Sequence, residues 1–271
     1  MGKEREPGMS IATRDCRKEL RDAFIEAHGY WNQAWESLLE LDPDFFEAYV
    51  QMSSVPARTG HLAPKIREFV YIAVDAAATH LYEPGIRQHI KHAIALGASR
   101  EEIMEVLELT ATLGIHACNI GVPILLQELE EAGQTVPRSL SPRQEELKAE
   151  FEEKRGYWNA FWDEMLILDA DFFEAYTHFS SVPWVKGTLE PKVKEFIYTA
   201  FDVAATHLYV SGLRQHIRNA LAYGATKEEV LEVIELASLL GLHACTVGVP
   251  ILVEEAAALQ TGAGATTTVA R

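Results

Sequence analysis

The chain has 271 residues, 48% apolar and 24% charged, the balance of a soluble globular protein with room for two ordinary domains. A formal charge of −16 excludes nucleic-acid binding, which needs a basic patch, and argues against docking on anionic lipid. No uninterrupted run of about 18 apolar residues occurs, so no membrane span is expected, and three cysteines without a CxxC spacing suit a reducing cytoplasm.

Residues 1–15 are charged and lack the apolar core of a secretory leader, and they read as a disordered N-terminus. A first copy of a duplicated unit follows, 16–132. Its opening, "GYWNQAWESLLELDPDFFEAY" from Gly29, recurs as "GYWNAFWDEMLILDADFFEAY" from Gly156. The offset, 156 − 29 = 127, also relates Glu68 to Glu195, His89 to His216, Gly97 to Gly224 and Pro123 to Pro250 without insertion. Tyr30, Trp31 and Trp35 make this opening aromatic, at a spacing that suits core or subunit contact.

"IREFVYIAVDAAATHLY", from Ile66, is Ala-rich and apolar at helical spacing. Glu68, Asp75 and Thr79 stand at i, i+7 and i+11, within about 20° of one face. Pro84 opens a second helix and Gly97 closes it as a left-handed cap. Ser99 and Glu102 form a capping box for a long helix, as do Thr226 and Glu229, and Gly121 with Pro123 is expected to kink or break its end. Residues 133–144, rich in Gly, Pro and Ser, form a linker; 145–260 is the second copy and 261–271 a disordered C-terminus. No alternating strand pattern appears. The fold class is all-α, two repeated helical domains.

His89 and His216 lie inside the apolar stripes of their helices, and His116 and His243 fall in apolar series of their own. His80, His89 and His116 recur in the second copy, whereas His28, His61, His92 and His178 do not. The copies also differ at Glu83 against Val210 and at His92 against Asn219, so one site or two per chain are both open.

Leu62–Lys65, Glu68, His89, Gly97 and Ser99–Ile103, repeated as Leu189–Lys192, Glu195, His216, Gly224 and Thr226–Val230, resemble the carboxymuconolactone decarboxylase/alkylhydroperoxidase D family. The peroxidase branch of that family carries Cys-x-Tyr-Cys eleven residues after the glutamate. This chain has His80-Leu81-Tyr82-Glu83 there, and His207-Leu208-Tyr209-Val210 in the second copy. Both cysteines are gone, and thiol redox chemistry needs a thiolate and a resolving partner.

The resemblance therefore implies the decarboxylase branch: a carboxy-lyase or isomerase without cofactor, acting on a small carboxylated lactone or enol. On that reading His89 and His216 move the proton, Glu68 and Glu195 orient them, and His80 and His207 complete the catalytic set. Arg87 and Arg214 hold a carboxylate, although an arginine two residues from the histidine diverges from it by about 200° on a helix. Tyr82, Tyr209, His116 and His243 line the pocket. No metal is expected; the alternatives are a zinc or non-haem iron site from Glu68, His80, His89 and His116, and a non-catalytic scaffold. The resemblance also implies a homo-oligomer, a trimer of two-domain chains.

Overall fold

The structure, a computed structural model, describes residues 11–137 and 139–265, with side chains over 16–137 and 139–259. Among these residues every regular element is a helix. The first copy forms α1 (Ile11–His28), α2 (Gln33–Leu41), α3 (Pro43–Ser53), α4 (Val55–Thr59), α5 (Pro64–Ala76), α6 (Glu83–Ala95), α7 (Arg100–Ala111) and α8 (His116–Glu131). The second forms α9 (Pro142–Arg155), α10 (Phe161–Leu168), α11 (Ala170–Val185), α12 (Pro191–Val203), α13 (Val210–Ala222), α14 (Lys227–Ser238) and α15 (His243–Ala265). The disorder expected for 1–10 and 266–271 falls outside the described residues; helical backbone occupies 11–15 and 261–265.

The caps follow the sequence. Ser99 accepts from the Glu102 N–H while Glu102 accepts from the Ser99 N–H, and Thr226 with Glu229 does the same. Lys65 then donates to Glu102 at 2.8 Å, and Lys192 to Glu229 at 2.9 Å. The lysine of the Leu-x-Pro-Lys motif thus ties the start of α5 or α12 to the cap of the next long helix. Gly97 and Gly224 take the left-handed φ expected of a cap. A further capping box at Ser141 and Gln144 starts α9 inside the segment read as linker.

The long helix is not broken at its proline. Pro123 and Pro250 lie within α8 and α15, and 3-10 turns at Thr112–Ile115 and Leu239–Leu242 separate these helices from α7 and α14. Arg100–Glu131 and Lys227–Leu259 are apolar enough over a window to cross a membrane by length and composition alone. Each also carries a buried glutamate in an ion pair, Glu105 with Lys194 and Glu232 with Arg67, which places the α7 and α14 parts of these stretches in the protein core.

Among the described residues two compact units emerge, and neither coincides with a sequence copy: one lies within 62–237, the other joins 11–61 with 238–265. In the first, α5 and α12 pack on each other and on α7, sharing a core of Phe69, Ile72, Val106, Leu109, Ile197 and Phe201. In the same unit α8 packs on α10 beside Phe151, Trp162, Leu166 and Phe173. The other unit is built likewise: α15 packs on α2 beside Phe24, Trp35, Leu39 and Phe46. The last helix of each copy therefore completes the aromatic bundle opened by the other.

Candidate active site

In the unit 62–237, α12 and α13 are joined by a turn in which Leu208 adopts φ 52; α5 and α6 are joined by its twin, with Leu81 at φ 50. A left-handed leucine is uncommon, and both leucines are exposed. The turn closes through Tyr209 N–H to Asp202 C=O and Tyr82 N–H to Asp75 C=O, 2.9 Å each. It places the following helix so that its histidine reaches back to the glutamate of the preceding one.

That contact is the centre of both sites. His216 Nδ1 lies 2.6 Å from Glu195 Oε2, and His89 Nδ1 2.8 Å from Glu68 Oε2. Tyr198 stacks on His216 and Tyr71 on His89, with ring centroids 4.4 Å apart in each. Asn219 donates to the other Glu195 oxygen at 3.2 Å, where the first copy places His92 Nδ1 3.8 Å from Glu68 Oε1. Burial draws the Glu68 carboxyl upward, but its hydrogen bonds to His89 and His92 outweigh that and hold it below the usual range.

Asp75 and Asp202 lie beneath these pairs, and burial pushes their carboxyls up to about 8 and about 7. His80 Nε2 and His89 Nε2 stand 4.0 and 3.9 Å from Asp75. Gly85 and Gly212 pack against these aspartates; a Cβ at either would overlap the carboxylate and the ring of Tyr82 or Tyr209.

His116, read with the first copy, stands in the second copy's site. Its Nδ1 is 2.6 Å from His207 Nε2 and 3.7 Å from Asp202 Oδ1, and its ring stacks on Tyr209 at 3.9 Å. Burial, then the neighbouring His207 and His216, lower its pKa to about 3, so the ring is neutral. His243 opens α15. Arg87 and Arg214 are exposed, and Arg87 is bound to Glu83 one turn back. The structure therefore brings Glu195, His207, His216, Tyr209 and His116 together and leaves both predicted arginines outside.

The buried cation is Arg155, which sequence reasoning passed over. It is 3% exposed, donates to Ser180 C=O and the Tyr198 hydroxyl, and leaves Nε without a hydrogen-bond partner. The rings of Phe151, Tyr157, Trp184 and Tyr198 surround it at 5.5 to 5.9 Å from the guanidinium carbon. The first copy has His28 at this position, hydrogen-bonded to Ser53. The one available signal was that mismatch beside the shared "GYWN". Arg155, Tyr157, Tyr176, Tyr198, His116 and His216 line one cavity of about 20 Å³, space for about one water. Side chains able to hold an anion and exchange a proton converge there.

The carboxymuconolactone decarboxylase family model matches residues 43–117 and 170–250. A crystal structure named for a gamma-carboxymuconolactone decarboxylase subunit from Burkholderia xenovorans LB400 is similar at a TM-score of 0.86 and 52% identity, over 90% of this chain and 98% of that one. No curated protein matches the chain.

Proposed function

Because this chain belongs to the carboxymuconolactone decarboxylase family, we propose that it is a carboxy-lyase or isomerase for a small carboxylated lactone or enol, working by proton transfer in the second copy's site. The observation that carries this reading is a buried guanidinium, Arg155, lining one cavity with His216, whose imidazole is bound to Glu195 behind it. A buried cation ringed by aromatic side chains, bonded to a carbonyl and a tyrosine hydroxyl, near Glu195 and with Nε unbonded, has capacity to take a further anion. A substrate carboxylate supplies one, and the guanidinium fork fits it.

With Nδ1 engaged by Glu195, proton exchange at His216 falls to Nε2. In decarboxylation the bond to the departing carboxyl breaks, CO₂ leaves, and the electron pair spreads into the lactone carbonyl as an enolate. His216 delivers a proton from Nε2 to carbon and later recovers one from solvent, while Glu195 stabilises the imidazolium. The Tyr198 ring and the surrounding aromatics keep the site dry, which strengthens these charge interactions. The cavity is far smaller than a carboxylated lactone, so the aromatic wall has to open for entry. The same tightness favours a second reading, a binding protein without turnover.

We also infer a reducing, cytoplasmic setting and a homo-oligomer of three two-copy chains. The similar crystal structure is named a subunit, and the three cysteines carry no disulfide.

Turnover of carboxylated lactones and enols by wild type, His216→Ala and His89→Ala tests the catalytic reading. His216→Ala is expected to lose about 10²–10⁴-fold in kcat, the usual contribution of a general acid or base. His89→Ala, whose copy has His28 in place of Arg155, is expected to retain most of the rate. Equal losses would place chemistry in both copies, and no turnover by wild type across the panel would favour the binding protein.

A further inference from the structure

We propose that His116, Asp202 and His207 form a site for a divalent first-row metal ion, with zinc or ferrous iron as the fitting chemistry. Two histidines and one carboxylate offer three ligand atoms that all lie within 4.8 Å of one another. The ligands come from both sequence copies, His116 from the start of α8 and the other two from α12 and the turn after it. This set differs from the one suggested by sequence, because Asp202 takes the carboxylate position and neither Glu68 nor Glu195 takes part. It also departs from the expectation of a protein without cofactor.

The observation that points to a ligand is Asp202. Its side chain has no exposure, and neither carboxylate oxygen has a hydrogen-bond partner. Buried polar atoms in folded proteins are almost always satisfied, and a cation is the partner that a carboxylate between two imidazoles would take. Gly212 leaves the space in which that carboxylate sits. The two imidazoles meet beside that carboxylate, His116 Nδ1 lying 2.6 Å from His207 Nε2, and a cation would displace the proton they share. The Tyr209 ring, stacked at 3.9 Å, fixes the plane of His116.

The spacing needs one adjustment. His116 Nδ1 and His207 Nε2 are 2.6 Å apart and His116 Nδ1 and Asp202 Oδ1 3.7 Å apart. Zinc bonds of about 2.0–2.1 Å in tetrahedral geometry need the nitrogens to part by under roughly an ångström. His207, half-buried on the turn rather than inside a helix, is the ligand that would make that shift. Three protein ligands leave a fourth position open, the arrangement of catalytic rather than structural sites.

The inference stands apart from the proton-transfer reading and is measured without substrate. Wild type, Asp202→Asn and His207→Ala are stripped with chelator, dialysed against micromolar Zn²⁺ or Co²⁺ and analysed for metal, with circular dichroism as the folding control. Wild type is expected to bind Zn²⁺ and to give the visible d–d bands of coordinated Co²⁺. Each variant is expected to hold one equivalent fewer per chain. Failure of wild type to bind either ion overturns the proposal, as does a full complement of metal in His207→Ala. His207 lies on a half-exposed turn, so its variant keeps the test sound should Asp202→Asn fail to fold.

Discussion

Gly85 and Gly212 are helical residues whose role is to have no side chain. Each faces the buried aspartate of its copy, and a methyl group there would overlap a carboxylate oxygen and a tyrosine ring. Gly212→Ala is expected to cost about 1–3 kcal/mol, the usual penalty for overpacking, although alanine is the better helix former. A fall in the midpoint of urea unfolding checks this; an unchanged or raised midpoint would show that Asp202 can move aside. Single residues were unevenly readable in the sequence. The glutamate–histidine pairs were within reach because both members recur at one offset. Arg155 was not, because it has no counterpart. Arg87 and Arg214 were misleading for a geometric reason: two residues along a helix from an inward histidine, a side chain points outward.

Among the elements, the joins between copies are made by two matching clasps. Glu105 in α7 accepts from the N–H groups of Thr188 and Leu189 and pairs with buried Lys194 at 3.0 Å. Glu232 in α14 accepts from Leu62 N–H and faces Arg67 at 3.6 Å. Removing one member of such a pair leaves an uncompensated buried charge, so Glu105→Ala is expected to cost roughly 3–5 kcal/mol. Adding Lys194→Met is expected to recover much of that loss, and denaturant midpoints of the single and double variants decide it. A double variant no better than the single would mean that the two backbone N–H groups, not the ion pair, dominate the clasp. Helix starts and stops were readable because capping is local: Ser99, Thr226, Gly97 and Pro84 carry their signal within a few residues. The clasps and the destinations of α8 and α15 were not, since nothing in a helix's own periodicity names the partner on which it packs.

At the scale of the whole molecule, the all-α class and the duplication followed from pattern alone, while the compact units did not follow the repeat. The exposed apolar residues carry the remaining expectation. Ile120, Ile124 and Leu125 on α8 are about half exposed, and Ile251 and Leu252 on α15 equally so. Rows of this kind are surfaces that the proposed trimer would cover. Light scattering coupled to size exclusion is expected to return the mass of three chains, each 30.2 kDa; a monomer at micromolar concentration would refute the assembly. The two copies, alike in backbone, have diverged in chemistry, with Arg155 and Asn219 in one and His28 and His92 in the other.

The placement of α8 and α15 has a consequence for how such a chain can be cut and joined. Each copy lends its last helix to the aromatic bundle begun by its sibling, so a chain severed at Gly133 would yield two fragments, each short of one helix and carrying a spare. Neither would be whole alone, and each would hold what the other lacks. In the intact chain that exchange happens at the effective concentration set by a short tether. The peptide link between the copies thus turns what would otherwise be a meeting of two molecules into an event within one.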